Sequence, residues 1–475
     1  MRAAERCGGE GRTTGMRGDA MRDIEALGRE PMGKLLLRLS APSVVGMMVQ
    51  SLYNVVDAFF VGRGVGPHGI AAVFVAFPLQ IAVMAFAMLL GSGGVSVISR
   101  SLGANDVDRA RRALGTIMSA SLALGLAAAV LNIVLAEHLV RFLGASEAIA
   151  PDSVRYVRIV ALSSPLFSYS IVCHNAARGE GNARVAMVTM LLSGLLNVFL
   201  DALFIFGLGM GVAGAAWATA ASQIMGALWL TRYYAGGRSA LTPGMPSLRP
   251  DRHVLAEVVR VGLSAFMNQI GVALTIGFLN NTFARYGGDA GMAAYGIIQR
   301  TNSLIVMPIF GLNQGMVPVV GYNWGAGELG RVWQALKLSA LTATGVCCLG
   351  AGILFFFPDR VFEIFSDDPE LIFRGVTGAR FIAFGIVFAG FQILCSGFYQ
   401  GIGRGIPSLC FSVLRQFVLI IPLVWGLSRL FGLKGAWCAF PITDTISFSL
   451  AFSYFWWNGR HLLALRSRRA PGNRL

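Results

Sequence analysis

Residues 69–98 read GIAAVFVAFPLQIAVMAFAMLLGSGGVSVI, a run without one charged side chain. As an α-helix this run is about 45 Å long at about 1.5 Å per residue, more than the hydrocarbon thickness of about 30 Å that a lipid bilayer presents. Working outward from it, apolar runs of spanning length recur at about 40–62, 113–136, 155–176, 185–208 and 212–232. They continue at about 258–284, 290–320, 338–357, 375–398, 408–430 and 435–457, which makes twelve. Composition agrees. Charged residues are 13% of the chain and hydrophobic ones 55%, whereas a soluble domain carries about 25% charged residues. The 59 glycines suit close packing of membrane helices. The fold expected is an all-α integral membrane protein.

A shift of 222 residues lays the second half of the run pattern on the first. Gly69-Ile70-Ala71-Ala72 falls on Gly291-Met292-Ala293-Ala294, Gly103-Ala104 on Gly325-Ala326, Asp106 on Glu328, and Arg109 on Arg331. Gly179 and Gly181 meet Gly401 and Gly403, and at a shift of 221 Gly211 and Gly214 meet Gly432 and Gly435. A constant offset held across four helices marks two six-helix lobes. Six is even, so the lobes share one topology and enclose a central cavity. The divisions expected are a polar, disordered segment 1–34, an N-terminal lobe 35–232, a cytoplasmic linker 233–257, a C-terminal lobe 258–458 and a basic tail 459–475.

The net charge of +15 belongs to loops rather than to a nucleic-acid surface. Arg100, Arg109, Arg111 and Arg112, then Arg238, Arg249 and Arg252, then Arg460, Arg466, Arg468 and Arg469 fall on one side of a twelve-helix thread. The acidic segment with Asp359, Glu363, Asp367, Asp368 and Glu370 falls on the other. Basic loops stay in the cytoplasm, so both termini are expected there, with the chain in the inner (plasma) membrane. Of the seven cysteines only Cys7 lies outside the apolar runs, and no metal-binding spacing occurs. There is no H-E-x-x-H, no G-x-S-x-G and no GK[ST] phosphate loop, which excludes the commonest hydrolase signatures and direct ATP coupling.

Acids well inside the apolar runs are few: Asp57, Asp201 and Asp444. A carboxylate at mid-membrane is unfavourable by about 2.5–3.5 kcal/mol and normally marks an ion or substrate path. Asn197 and Asp201 are spaced i, i+4, and Asn54 and Asp57 i, i+3, so each pair shares a helix face. Carboxylates with amide neighbours hold either a proton or a sodium ion. In the second lobe Arg300 and Arg415 also lie inside apolar runs, and Asp444 is expected to neutralise one of them.

The first run contains Gln50-Ser51-Leu52-Tyr53-Asn54-Val55-Val56-Asp57 followed by Phe60-Val61-Gly62-Arg63. The eighth leads into Pro318-Val319-Val320-Gly321-Tyr322-Asn323-Trp324-Gly325-Ala326-Gly327, and the fifth contains Asn197-Val198-Phe199-Leu200-Asp201. With these strings the chain resembles the multidrug and toxic compound extrusion (MATE) family over roughly residues 35 to 460. The resemblance implies an exporter of cationic or amphipathic compounds driven by H+ or Na+, with no other cofactor. It also implies a coupling site at Asp57, Asn175, Asn197, Asp201 and Thr219, and a bend of the first helix at Pro42. One departure stands out. The acidic pair that the sodium-coupled branch carries on the seventh and tenth helices is missing, since the seventh offers Asn268 and Gln269 and the tenth Gln392.

For the substrate cavity the candidates are Tyr53, Asn54, Gln269, Arg300 and Asp444, with Phe167 and helix methionines such as Met47, Met190 and Met307 as apolar lining. A flippase for lipid-linked oligosaccharide or peptidoglycan precursors is the alternative, disfavoured because a pyrophosphate needs more cations than Arg300 and Arg415. The partners expected are small amphipathic molecules and the bilayer, with the chain a monomer that binds no nucleic acid.

Overall fold

In a bilayer core no water satisfies the backbone, so spanning segments close their hydrogen bonds internally as helices. The computed structural model describes residue 18 and residues 21–242, 244–365 and 368–469. Cys7, Pro243, Asp367 and the end of the basic tail lie outside the described residues. The first lobe contains α1 (Met32–Gly64), α2 (Pro67–Gly103), α3 (Val107–Val134), α4 (Ala150–Gly179), α5 (Ala183–Asp201) and α6 (Gly211–Ala235). The second contains α7 (252–287), α8 (289–325), α9 (Leu329–Phe356), α10 (Pro369–Gly401), α11 (405–431) and α12 (433–469). Between α7 and α8 the chain turns at Gly288, and between α11 and α12 at Gly432. Each helix covers one of the twelve apolar runs. Side chains on the outside are apolar, among them Phe74, Leu195, Leu349 and Phe384, as a surface facing hydrocarbon requires.

The backbone carries the repeat as clearly as the sequence does. Left-handed residues occur at Gly66 and Gly288, Asn105 and Gly327, Gly181 and Gly403, and Gly211 and Gly432. The first three pairs are separated by 222 residues and the last by 221. Each is a turn between spans where φ must be positive, and glycine reaches that region without a Cβ penalty.

The lobes meet mainly through α2 and α8, with α1 and α7 alongside. A Cβ on Gly103 would strike the carbonyl of Tyr322, and one on Gly325 would strike the carbonyl of Arg100. Since 100 and 322 are also repeat positions, the two contacts are one contact seen twice about the pseudo-twofold axis. Further along, Gly311 packs on Val44, Gly315 on Ser40, Gly93 on Val258 and Gly262 on Leu89.

All of these contacts lie towards the end where α1 begins, and the facing stripes open away from it. On α1 the stripe runs from Ser40, buried, through Val44, Met47 and Ser51, half-buried, to Asn54, exposed. On α8 it runs from Pro318, Gly315 and Gly311, buried, through Met307 to Leu304 and Arg300, exposed. The cleft is therefore shut at the end where α1 begins and open at the other.

Charge pairs reinforce the closed end. Glu257 binds Arg100 at 2.9 Å and Arg109 at 2.6 Å. At the repeat position of Arg109, Arg331 donates to the carbonyls of Leu27, at 3.4 Å, and Glu30, at 2.7 Å. Asn323 also donates to Leu27, at 3.0 Å. These are the free carbonyls that end a helix over residues 21–29, and a cation there also suits the helix dipole. Disorder through residue 34 is thus corrected: from residue 21 the segment is helical, with Leu27 fully buried and Ile24 nearly so. Two apolar side chains and a capping arginine are what the polar composition concealed.

Glu180, in the turn between α4 and α5, is 2% exposed and accepts a hydrogen bond from Ser239 Oγ at 2.6 Å. Burial pushes its carboxyl up from 4.5 to about 7, against the lowering effect of Ser239 and of the Ala240 and Leu241 backbone N–H groups. Between those values the folded protein keeps a proton that the unfolded chain has lost, so stability should fall as pH rises through this window. The loss amounts to at most about 3 kcal/mol. Glu180→Gln should flatten the dependence, read as the thermal unfolding midpoint in detergent between pH 4.5 and 7.5.

Candidate cation and substrate site

In the open half of the first lobe, α1 and α5 bring Asp57 and Asp201 face to face, their carboxyl groups in mutual hydrogen-bonding range. Asp201 is fully buried and Asn197, one turn before it, is 2% exposed. Oδ1 of Asp57, both carboxyl oxygens of Asp201 and Oδ1 of Asn197 are buried, and none makes a well-formed hydrogen bond to a protein donor. Buried acceptors are normally paired, and leaving one unpaired costs about 1–3 kcal/mol. Four together, supplied by two carboxyls and an amide, form a set that calls for a proton or a hard cation with oxygen ligands.

Around them stand further groups, of which Gln80 and Tyr156 were not assigned from the sequence. The hydroxyl of Tyr156 on α4 accepts from Gln80 Nε2 at 3.2 Å and interacts with Thr219 on α6. Tyr53 interacts with Gln50, and both tyrosines feel the charge of Asp57 and Asp201. Gln80 was findable, because it is the one amide in the apolar run 69–98. Tyr156 was not, because a tyrosine near a span end is ordinary. Immediately after Asp201 the helix widens into a π turn, Ala202–Gly207, a distortion that recurs at functional sites. A small cavity lies against this cluster, lined by Gln80, Asn132, Tyr156, Phe167 and Gln223 among others.

Asp57, Asn197, Asp201 and Thr219 thus converge, but Asn175 does not join them. It lies nineteen residues beyond Tyr156 on α4, about 28 Å along the axis at about 1.5 Å per residue. There its Nδ2 donates to Ile171 O at 2.9 Å, its Oδ1 faces Arg178 at 3.5 Å, and the side chain packs on Gly91. A residue-by-residue carry-over matches letters, whereas helix pitch decides depth.

The substrate-cavity candidates separate in the same way. Asn54 and Arg300 end the two facing stripes of α1 and α8, and Gln269 lies half-buried on the matching stripe of α7 with Gly262 and Phe266. Tyr53 turns into the first lobe, against Gly194 of α5. Asp444, 6% exposed, accepts from Arg415 Nε at 2.9 Å. Arg415 is therefore its partner rather than Arg300, which makes no ion pair among the described residues. Arg415 sits in a second π turn, Leu414–Leu419. No cluster of three or more His, Cys, Asp or Glu side chains fit to hold a metal occurs among the described residues.

The MatE family pattern matches residues 42–203 and again 265–425, once per lobe. The multidrug export protein MepA of Staphylococcus saprophyticus is 28% identical over 413 residues, covering 87% of this chain and 91% of its own. Among solved structures, one described as the outward-facing conformation of a multidrug resistance MATE family transporter of the MOP superfamily superposes with a TM-score of 0.86. It is 27% identical and covers 94% of this chain and 98% of its own. A MATE crystal structure in the bent conformation gives a TM-score of 0.87 at 27% identity, covering the same shares.

Arg415→Ala would leave Asp444 buried without its counter-charge, an expected destabilisation of about 3–5 kcal/mol. Replacing both by apolar residues should cost clearly less than the two single changes together. A double-mutant cycle on thermal unfolding in detergent measures the difference.

Proposed function

Since the chain belongs to the MatE family of multi-pass membrane transporters, we propose that it exports cationic or amphipathic compounds across the plasma membrane in exchange for H+ or Na+. The observation that carries this reading is the set of orphaned acceptors on Asp57, Asn197 and Asp201. A cation neutralises it, and so does a positively charged drug. One site that binds either but not both at once supplies the competition antiport needs, because only differential binding between states moves an equilibrium. The name of the staphylococcal relatives, multidrug export protein, supports the direction of transport and the substrate class.

The basic loops argue that the N-terminal face is cytoplasmic, and the state described here is then outward-open. In it, a proton or sodium ion enters at Asp57 and Asp201 and displaces the drug to the outside. With the charge neutralised the lobes rock, the cation leaves to the cytoplasm, and the freed carboxylates accept the next drug from the inner side. Asn197 and Thr219 orient the carboxyls, and Tyr156 holds Thr219 in place through its hydroxyl.

Efflux of a cationic dye such as ethidium from proteoliposomes, under an imposed proton or sodium gradient, tests the proposal. One gradient should drive efflux, and Asp201→Asn should lower the gradient-driven rate by about a hundredfold, since the proton-exchanging group of the site is gone. Asp57→Asn should weaken it as well. Full activity in Asp201→Asn overturns the site. The gradient that works names the ion.

A further inference from the structure

Arg300 lies inside the apolar run of α8, at the mouth of the cleft, and the function above leaves it idle. It is exposed and without an ion pair among the described residues, although the exporter's substrates are cations that it should repel. An unpaired arginine at this depth is unfavourable unless it faces a water-filled space. Helix geometry places it there: residues 300, 304, 307, 311, 315 and 318 follow one another at three- and four-residue steps along one face of α8. The buried end of that face packs on α1.

The packed end fixes a register. Gly315 meets Ser40 and Gly311 meets Val44, so α1 and α8 run antiparallel and each step up α1 is a step down α8. Continued past the point where the helices part, the same register sets Leu304 opposite Ser51 and Arg300 opposite Asn54 and Val55. Asp57 is then one turn further on.

The repeat sharpens the point. α7 and α2 form the two-fold related pair, with Gly262 on Leu89 and Gly93 on Val258. There the position of Arg300 is held by Pro78, that of Asn54 by Ile276 and that of Asp57 by Leu279. The guanidinium and the carboxylates break the symmetry together, Arg300 on the cleft face of α8 and Asp57 on the facing helix α1, one turn beyond and turned towards Asp201.

We propose that Arg300 is the positioning residue on which the far side of the cleft closes. When the lobes rock, α8 zips onto α1 in the register already present at the closed end, and the guanidinium comes against Asn54 and Asp57. A bound coupling cation or a bound drug neutralises the carboxylates and releases Arg300, so the outer side opens. Discharge of the cation restores their charge and draws Arg300 in, which holds the ion-free carrier shut on that side. This inference rests on the exporter reading of the N-lobe site.

Spin labels at Ser51→Cys and Leu304→Cys, in the otherwise cysteine-free full chain in proteoliposomes, report the closure as a short-distance population in dipolar spectroscopy. The population should be present without coupling ion, shrink on addition of excess ion or ethidium, and persist in Arg300→Lys. In Arg300→Gln it should fall about tenfold, within the usual range for coupling between sites. Dye efflux by the wild type with an undiminished short-distance population in Arg300→Gln overturns the role of Arg300 alone. Absence of dye efflux from the wild type overturns the exporter reading itself.

Discussion

Two glycines set against two carbonyls hold the architecture in place. Gly103 lies on the backbone of Tyr322 and Gly325 on the backbone of Arg100, and any side chain at either glycine would push α2 and α8 apart. In hydrocarbon there is no hydrophobic drive between helices, so association depends on such close approach. The seal between the lobes is therefore made by shape, near the axis that relates them. Everything beyond it on the far side, from Ser51 and Met307 to Asn54 and Arg300, is free to separate. Every residue discussed as functional lies on that free side, apart from Asn175.

Much of this was legible in the sequence, for physical reasons that can be named. Twelve spans were readable because hydrocarbon tolerates so few charges, and the repeat because turns with positive φ restrict residue choice to glycine or, at Asn105, asparagine. Asp57 and Asp201 were readable as a pair because acids are so rare in the spans. Depth along a helix was not readable from one-letter matches, which is why Asn175 was grouped with residues about 28 Å away. Nor could the sequence distinguish Arg415 from Arg300 as the partner of Asp444, since that choice depends on how α11 and α12 pack. The folded part of the N-terminal segment was hidden for another reason. Its order comes from Asn323 and Arg331, some three hundred residues distant.

The two lobes share one backbone plan and differ in which repeat positions carry a charged side chain. Asp57 and Asp201 have leucines, Leu279 and Leu423, at their repeat positions, while Arg300 has Pro78. The first lobe carries buried acceptors that lack donors, on Asp57, Asn197 and Asp201. Among the described residues of the second lobe, the one buried acid is satisfied by Arg415, and Arg300 stands at the cleft without an ion pair. A molecule with two equal lobes could rock, but nothing in it would tie the rocking to an ion. On the reading proposed above, the asymmetry supplies that tie.

Helix length adds a consequence of its own. α1, α2 and α8 contain 33, 37 and 37 residues, about 50–56 Å of rod against a hydrocarbon layer of about 30 Å. Part of each rod therefore stands outside the hydrocarbon. The clasps of Glu257 with Arg100 and Arg109, and of Arg331 with the N-terminal helix, sit where ions are cheaply hydrated, while glycine contacts carry the load where they are not. Rods of this length, pivoting where they touch, act as levers, and how far they lean depends on the thickness of the surrounding bilayer. Lipid composition thus becomes a mechanical influence on the width of the mouth, separate from the charges that line it.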